Sequence, residues 1–127
     1  LIREQNDVYF LTCTIVKWID IFTRPVYKDI IVDSLNYAIK NKGLEVYCWV
    51  IMSNHIHLLC KVNKPFGLSA VLRDFKRFTS KEIVKTIKSI PESRRDWLLQ
   101  EFKKEADRIK RVWYYKKRFF SNSGVTF

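Results

Sequence analysis

Two β-rich apolar runs, residues 44–52 and 55–62, are separated only by Ser53-Asn54. That short gap constrains the fold more than any other feature. Parallel strands need a crossover of about a dozen residues, so a two-residue connection leaves only an antiparallel hairpin. The first run is almost continuously apolar, which predicts a central strand covered on both faces. The second alternates, with His55, His57 and Leu59 on one face and Ile56, Leu58, Cys60 and Val62 on the other.

The segments around the hairpin complete the pattern. Residues 8–16 alternate, with Tyr9, Leu11, Cys13 and Ile15 opposite Thr12 and Thr14, and predict a strand. Thr23 is the expected N-cap of a helix with Pro25 in its first turn. Ile30, Ile31, Leu35, Ala38 and Ile39 form that helix's apolar side, and Gly43 ends it. Residues 63–67 form a loop. A second helix starts near Ser69, with Leu72, Phe75, Ile83 and Ile87 inward. Phe78 is expected in the core rather than as a base-stacking platform. Pro91 interrupts, and Glu92 and Asp96 suit the first turn of a third helix that turns Trp97, Leu98, Phe102, Ala106 and Ile109 inward. Strand, helix, strand, strand, helix is the order of an α+β fold. The expectation is an antiparallel sheet with helices packed on one face, ferredoxin-like or RRM-like, in a single domain over residues 1–127.

Lys and Arg number 24 against 13 Asp and Glu, a net charge of +11. Such an excess favours a polyanionic partner, nucleic acid before anionic membrane. Arg73, Lys76, Arg77, Lys81 and Lys85 crowd the second helix, where only Asp74 and Glu82 oppose them, and are the candidate DNA-binding residues. Cys13, Cys48 and Cys60 form no CxxC pair, which fits reduced thiols in a cytoplasmic protein, with Cys48 and Cys60 as buried packing. No signal peptide is visible, and no apolar run is long enough to span a bilayer.

The chain's only two histidines, His55 and His57, are two residues apart on a strand, which puts both imidazoles on one sheet face. That spacing suits joint coordination of one cation. With an added oxygen ligand the site takes Mn²⁺ or Mg²⁺. A Zn²⁺ site is disfavoured, because no Cys, Asp or Glu lies at ligand spacing.

The segment Trp49-Val50-Ile51-Met52-Ser53-Asn54-His55-Ile56-His57-Leu58-Leu59 resembles the signature of the HUH endonucleases. More narrowly, it resembles the single-strand insertion-sequence transposases and, among them, the REP-associated tyrosine transposases. The resemblance runs through Ile21-Phe22-Thr23-Arg24-Pro25, residues 72–80 and Trp97-Leu98-Leu99, covering about residues 8–113. It implies DNA transposition: sequence-specific binding of single-stranded DNA with a hairpin, cleavage, and strand transfer through a metal-assisted 5′-phosphotyrosine intermediate. The two histidines and a third polar group would hold the metal. The protein would be a monomer or homodimer.

Residues 114–127 depart from the family pattern. The family's tyrosine precedes a "Y-I-x-N-N-P-V" type of stretch, and this sequence has none. Tyr114 and Tyr115 lack those neighbours, so the nucleophile is unassigned. The expectation is a truncated or degenerate copy that binds metal and DNA without completing strand transfer. The cluster Trp113, Tyr114, Tyr115, Lys116, Lys117 and Arg118 either stacks bases or packs on the sheet. Two other readings stand beside this one: a non-catalytic nucleic-acid-binding module, and a structural partner in a larger assembly.

Overall fold

A computed structural model describes residues 5–111 and 120–122; side chains are described only through residue 108. Strand β1 (Tyr9–Ile15) leads through two short 3₁₀ turns, Val16–Trp18 and Ile21–Thr23, into α1 (Pro25–Asn41). Strands β2 (Leu44–Ile51) and β3 (His55–Val62) follow, then α2 (Leu68–Ser89), α3 (Arg95–Arg111) and a short β4 (Phe120–Asn122). The expected hairpin is present, closed by the Met52 amide donating to the His55 carbonyl at 2.8 Å.

The sheet order is β2-β3-β1-β4, and every paired neighbour is antiparallel. The β1-α1-β2 crossover therefore leaves a gap that β3 fills, the split βαβ of a ferredoxin-like plan. The expected α+β class, with helices on one sheet face, holds. Leu11, Cys13, Ile15, Ile56, Leu58, Cys60 and Val62 are buried beneath the helices together with Ile31, Leu35, Phe75, Ile83, Ile87, Leu98 and Phe102.

Several expectations are corrected. The run 44–52 is an edge strand, not a central one, because β3 takes the place between it and β1. Leu44 still reaches the core, but the side chains from Tyr47 to Val50 are open to solvent, Trp49 at 54% and Tyr47 at 55% exposure, and Cys48 is exposed too. A bulge between Val46 and Cys48 breaks the strand's regular register. Thr23 does not cap α1. Its hydroxyl donates to the Asp20 carbonyl inside the preceding turn, and Arg24 occupies the cap position without a side-chain bond. Trp97, Ala106, Ile39 and Phe78 point outward instead of into the core. The side chain of Ile109 and the cluster at residues 113–118 lie outside the described residues.

Side chains secure the helix ends. Gly43, at φ +69°, supplies the left-handed turn after α1, and a Cβ there would meet the Asn63 carbonyl at 3.0 Å. The Gln5 carboxamide accepts from the Ser69 amide at 3.0 Å, satisfying a donor in the first turn of α2. The Arg95 guanidinium donates to the Ile87 and Ile90 carbonyls, so the first residue of α3 caps the last turn of α2. Glu92 precedes α3 instead of lying within it. Its buried carboxylate accepts from the Tyr27 hydroxyl at 2.7 Å, Arg24 at 3.1 Å and the Arg94 amide at 3.1 Å. This clasp fastens the start of α3 to the start of α1.

Candidate metal and nucleic-acid site on the open sheet face

The face of the sheet away from the helices carries His55, His57 and Leu59 of β3. Strand β1 contributes Phe10, Thr12 and Thr14, which pair with Leu59, His57 and His55 respectively; Phe10 is exposed, whereas Thr14, at the His55 end, is fully buried. Strand β2 adds Cys48 and Val50, opposite Leu59 and His57. Both histidines are half-buried, and their rings meet edge to face with centroids 4.7 Å apart. The structure thus brings the two candidate ligands together as their spacing predicts.

What orients each ring was not visible in the spacing. His55 Nδ1 lies 2.8 Å from Asn54 Oδ1. The Asn54 amide nitrogen donates in turn to the Trp18 carbonyl at 3.3 Å. With its NH₂ committed there, Asn54 offers only an acceptor to the ring. His55 therefore carries its proton on Nδ1, leaving the Nε2 lone pair open. His57 Nδ1 lies 3.0 Å from the Thr12 hydroxyl, which can hold the second ring the same way. Fixing Nδ1 by an outer hydrogen bond is the usual means of presenting Nε2 to a metal. Burial, then the neighbouring His57, pushes the His55 pKa below the ordinary 6.5, so the ligating neutral form persists to lower pH.

The donor set fits a divalent cation in part. Two imidazoles stand together, but among the described residues no group of three His, Cys, Asp or Glu side chains could hold a metal. Cys13 and Cys60 cannot help. They lie on the helix side of the sheet, where burial pushes their thiols up to about 12 and about 11. Nor does a described tyrosine offer itself as a nucleophile. Tyr27 is buried against Glu92, Tyr37 is on α1, and Tyr9 pairs with Cys60 on the helix side. Tyr47, in the β2 bulge, donates its hydroxyl to Glu45 at 2.8 Å.

The turn after β1 is strained where it meets this site. Lys17 and Trp18 both have positive φ, 57° and 56°. Each costs about 1 kcal/mol or more for a residue with a Cβ. Lys17 is tied down by Glu101 at 2.6 Å, and Trp18 by Asn54.

The basic candidates on α2 lie elsewhere. Arg73, Arg77, Lys81 and Lys85 are exposed on the outside of the helix layer, across the sheet from the histidines. Lys76 is half-buried, and its charge is felt by the Cys13 thiol. Lys81, Lys85 and Lys88 of α2, with Lys103 of α3, rim a groove whose apolar walls include Val84, Leu99 and Phe102. The structure therefore separates the cationic surface from the histidine pair. Among the described residues, no helix is long and apolar enough to cross a membrane.

Sequence reasoning missed Phe10, Thr12, Trp18 and Asn54 as residues of this site. The two threonines breaking an apolar strand were the one available signal. Recognising them needed the β1–β3 register.

Comparison with known proteins supplies the context. The family model described as "Transposase IS200 like" matches residues 9–97. Among curated proteins, none matches the chain. A solved REP-associated tyrosine transposase, bound to a REP hairpin, superimposes with a TM-score of 0.55 at 13% identity, over 65% of this chain and 50% of that one. The chain thus spans half the length of that relative. A putative transposase from Deinococcus radiodurans gives a TM-score of 0.55 at 12% identity, over 81% of this chain and 92% of that one. At such identities these structures speak to the shared fold.

Proposed function

Because the chain belongs to the IS200-like transposase family, we propose that it acts in DNA transposition by binding single-stranded DNA beside a hairpin, with a phosphate at His55 and His57. One observation carries this reading: both imidazoles lie on the sheet face away from the helices, each with Nδ1 engaged, His55 by Asn54 and His57 by Thr12. His55 and His57 would hold Mg²⁺ or Mn²⁺. Bound there, the ion would polarise the phosphate and stabilise charge developing on its oxygens. Asn54 keeps His55 in the ligating tautomer, the Thr12 hydroxyl can do the same for His57, and the depressed His55 pKa favours the neutral ring. The similar REP-associated tyrosine transposase, bound to a REP hairpin, supports a hairpin as the DNA partner. Arg73, Lys76, Arg77, Lys81 and Lys85 would hold the phosphates of that stem on the helix side while the single strand passes to the histidine face.

No nucleophile is assigned, since none of the described tyrosines joins the histidine pair. The reading is that the chain binds metal and DNA without completing strand transfer by itself. The test is DNA binding with Mn²⁺ or with EDTA, using a labelled hairpin with a single-stranded flank. Metal-dependent binding lost in His55→Ala and His57→Ala is the expected result. Binding indifferent to metal and to both substitutions would favour the non-catalytic binding module. A covalent protein–DNA adduct abolished by Tyr115→Phe would overturn the claim that strand transfer stops short.

A further inference from the structure

We propose that Trp18 and Phe10 are base-stacking platforms that grip the single strand on either side of the phosphate at the histidine pair. This rests on the open sheet face being the DNA site.

The order of groups along β3 carries the inference. At one end, the Asn54 amide holds the Trp18 carbonyl at 3.3 Å while its oxygen meets His55. His57 comes next. Beyond it, Phe10 pairs in register with Leu59, and its ring stacks on His57 with centroids 5.3 Å apart and planes 21° from parallel. Two aromatic residues thus bracket two imidazoles. The five residue steps from Asn54 to Leu59 span roughly 16 Å at strand rise, room for a phosphate with a base on each side.

Both aromatics are exposed where burial was open to neighbouring positions. Phe10 is 50% exposed on a central strand, while the adjacent Leu11 is fully buried. Trp18 is 62% exposed, although Val16 and Ile19 of the same turn are in the core. The backbone at Trp18 is fixed in place by its left-handed conformation, by the Lys17–Glu101 ion pair next to it and by the Asn54 bond to its carbonyl. A nucleobase matches these groups because every base has a π-face, so stacking grips single strands with little regard to sequence.

The test measures binding of a labelled single-stranded oligonucleotide to the whole chain by fluorescence anisotropy, alongside copies with one abasic position each. Trp18→Leu and Phe10→Leu keep bulk but remove the ring. Trp18→Phe and Phe10→Tyr keep stacking and control for folding, which thermal melting checks directly. Each Leu variant is expected to weaken binding about tenfold, the stacking of one base. An oligonucleotide abasic at the matching position should already have lost that factor, so the Leu variant loses nothing further on it. The aromatic variants should bind like wild type. Leu variants that bind as tightly as wild type, or that lose affinity equally for every abasic copy, overturn the proposal. If His55→Ala alone loses binding, the stacking claim fails and the metal reading survives. If wild type binds no single strand, both fail.

Discussion

The Asn54→Ala substitution tests how the metal site is built. It removes a 2.8 Å hydrogen bond to His55 Nδ1 and a 3.3 Å bond that locks the amide against the Trp18 carbonyl. Without the acceptor, His55 is free to place its proton on Nε2, a form that cannot ligate through that nitrogen. Loss of such an outer partner costs about 10- to 100-fold in metal affinity. Only one of the two rings is released, because Thr12 still lies 3.0 Å from His57. The lower end, about tenfold or roughly 1.4 kcal/mol, is therefore expected. Thr12→Val should cost a similar factor through the other ring, while Thr12→Ser, which restores the hydroxyl, should bind nearly as wild type. Mn²⁺ titration calorimetry reads all three, with thermal melting to confirm folding. If Asn54→Ala and Thr12→Val bind Mn²⁺ as tightly as wild type while His55→Ala does not bind, the orientation argument is wrong.

Other consequences follow from the same geometry. Glu92→Ala leaves the buried Tyr27 hydroxyl without its acceptor and unfastens α3, and should cost about 3 kcal/mol in urea unfolding. Adding Tyr27→Phe should recover part of that loss, and a purely additive double variant would count against the clasp. Burial alone would raise the Glu92 pKa, but bonds from Tyr27, the Arg94 amide and Arg24 bring it below the usual 4.5. Its stabilising contribution is thus full above pH 4.5 and lost as the pH falls through the lower folded value, which acid unfolding of wild type against Glu92→Gln should reveal. His55 should titrate below 6.5 by NMR, and the stability it contributes should fade as the pH drops through that lower value. If α2 contacts phosphates, neutralising Arg77, Lys81 or Lys85 should each reduce the salt dependence of DNA binding by about one ion, with an unchanged slope counting against contact.

The hairpin was legible because a two-residue gap permits one connection and period-two alternation then sorts the faces. The ferredoxin-like plan followed from element order. The edge position of β2 was not legible: an apolar run says that a strand could be covered, not whether a helix reaches it. The outward turn of Trp97 and Ala106 has the same cause, since periodicity gives a stripe's spacing but not how far packing extends along the helix. Glu92 looked like an ordinary first-turn acid because its partners Tyr27 and Arg24 lie more than sixty residues away. His55 and His57 were found by spacing. Asn54 was only a turn residue until its two bonds connected His55 with the strained turn at Trp18. The placement of the α2 cations across the sheet from the histidines likewise needed the layer order.

The central claim is that His55 and His57 ligate one cation together through Nε2. Nitrogen-resolved NMR of both imidazoles during a Mn²⁺ titration tests it most directly. The account predicts that both Nε2 signals broaden along one binding curve while both Nδ1 sites stay protonated. Broadening of one ring only, or of neither, would contradict it.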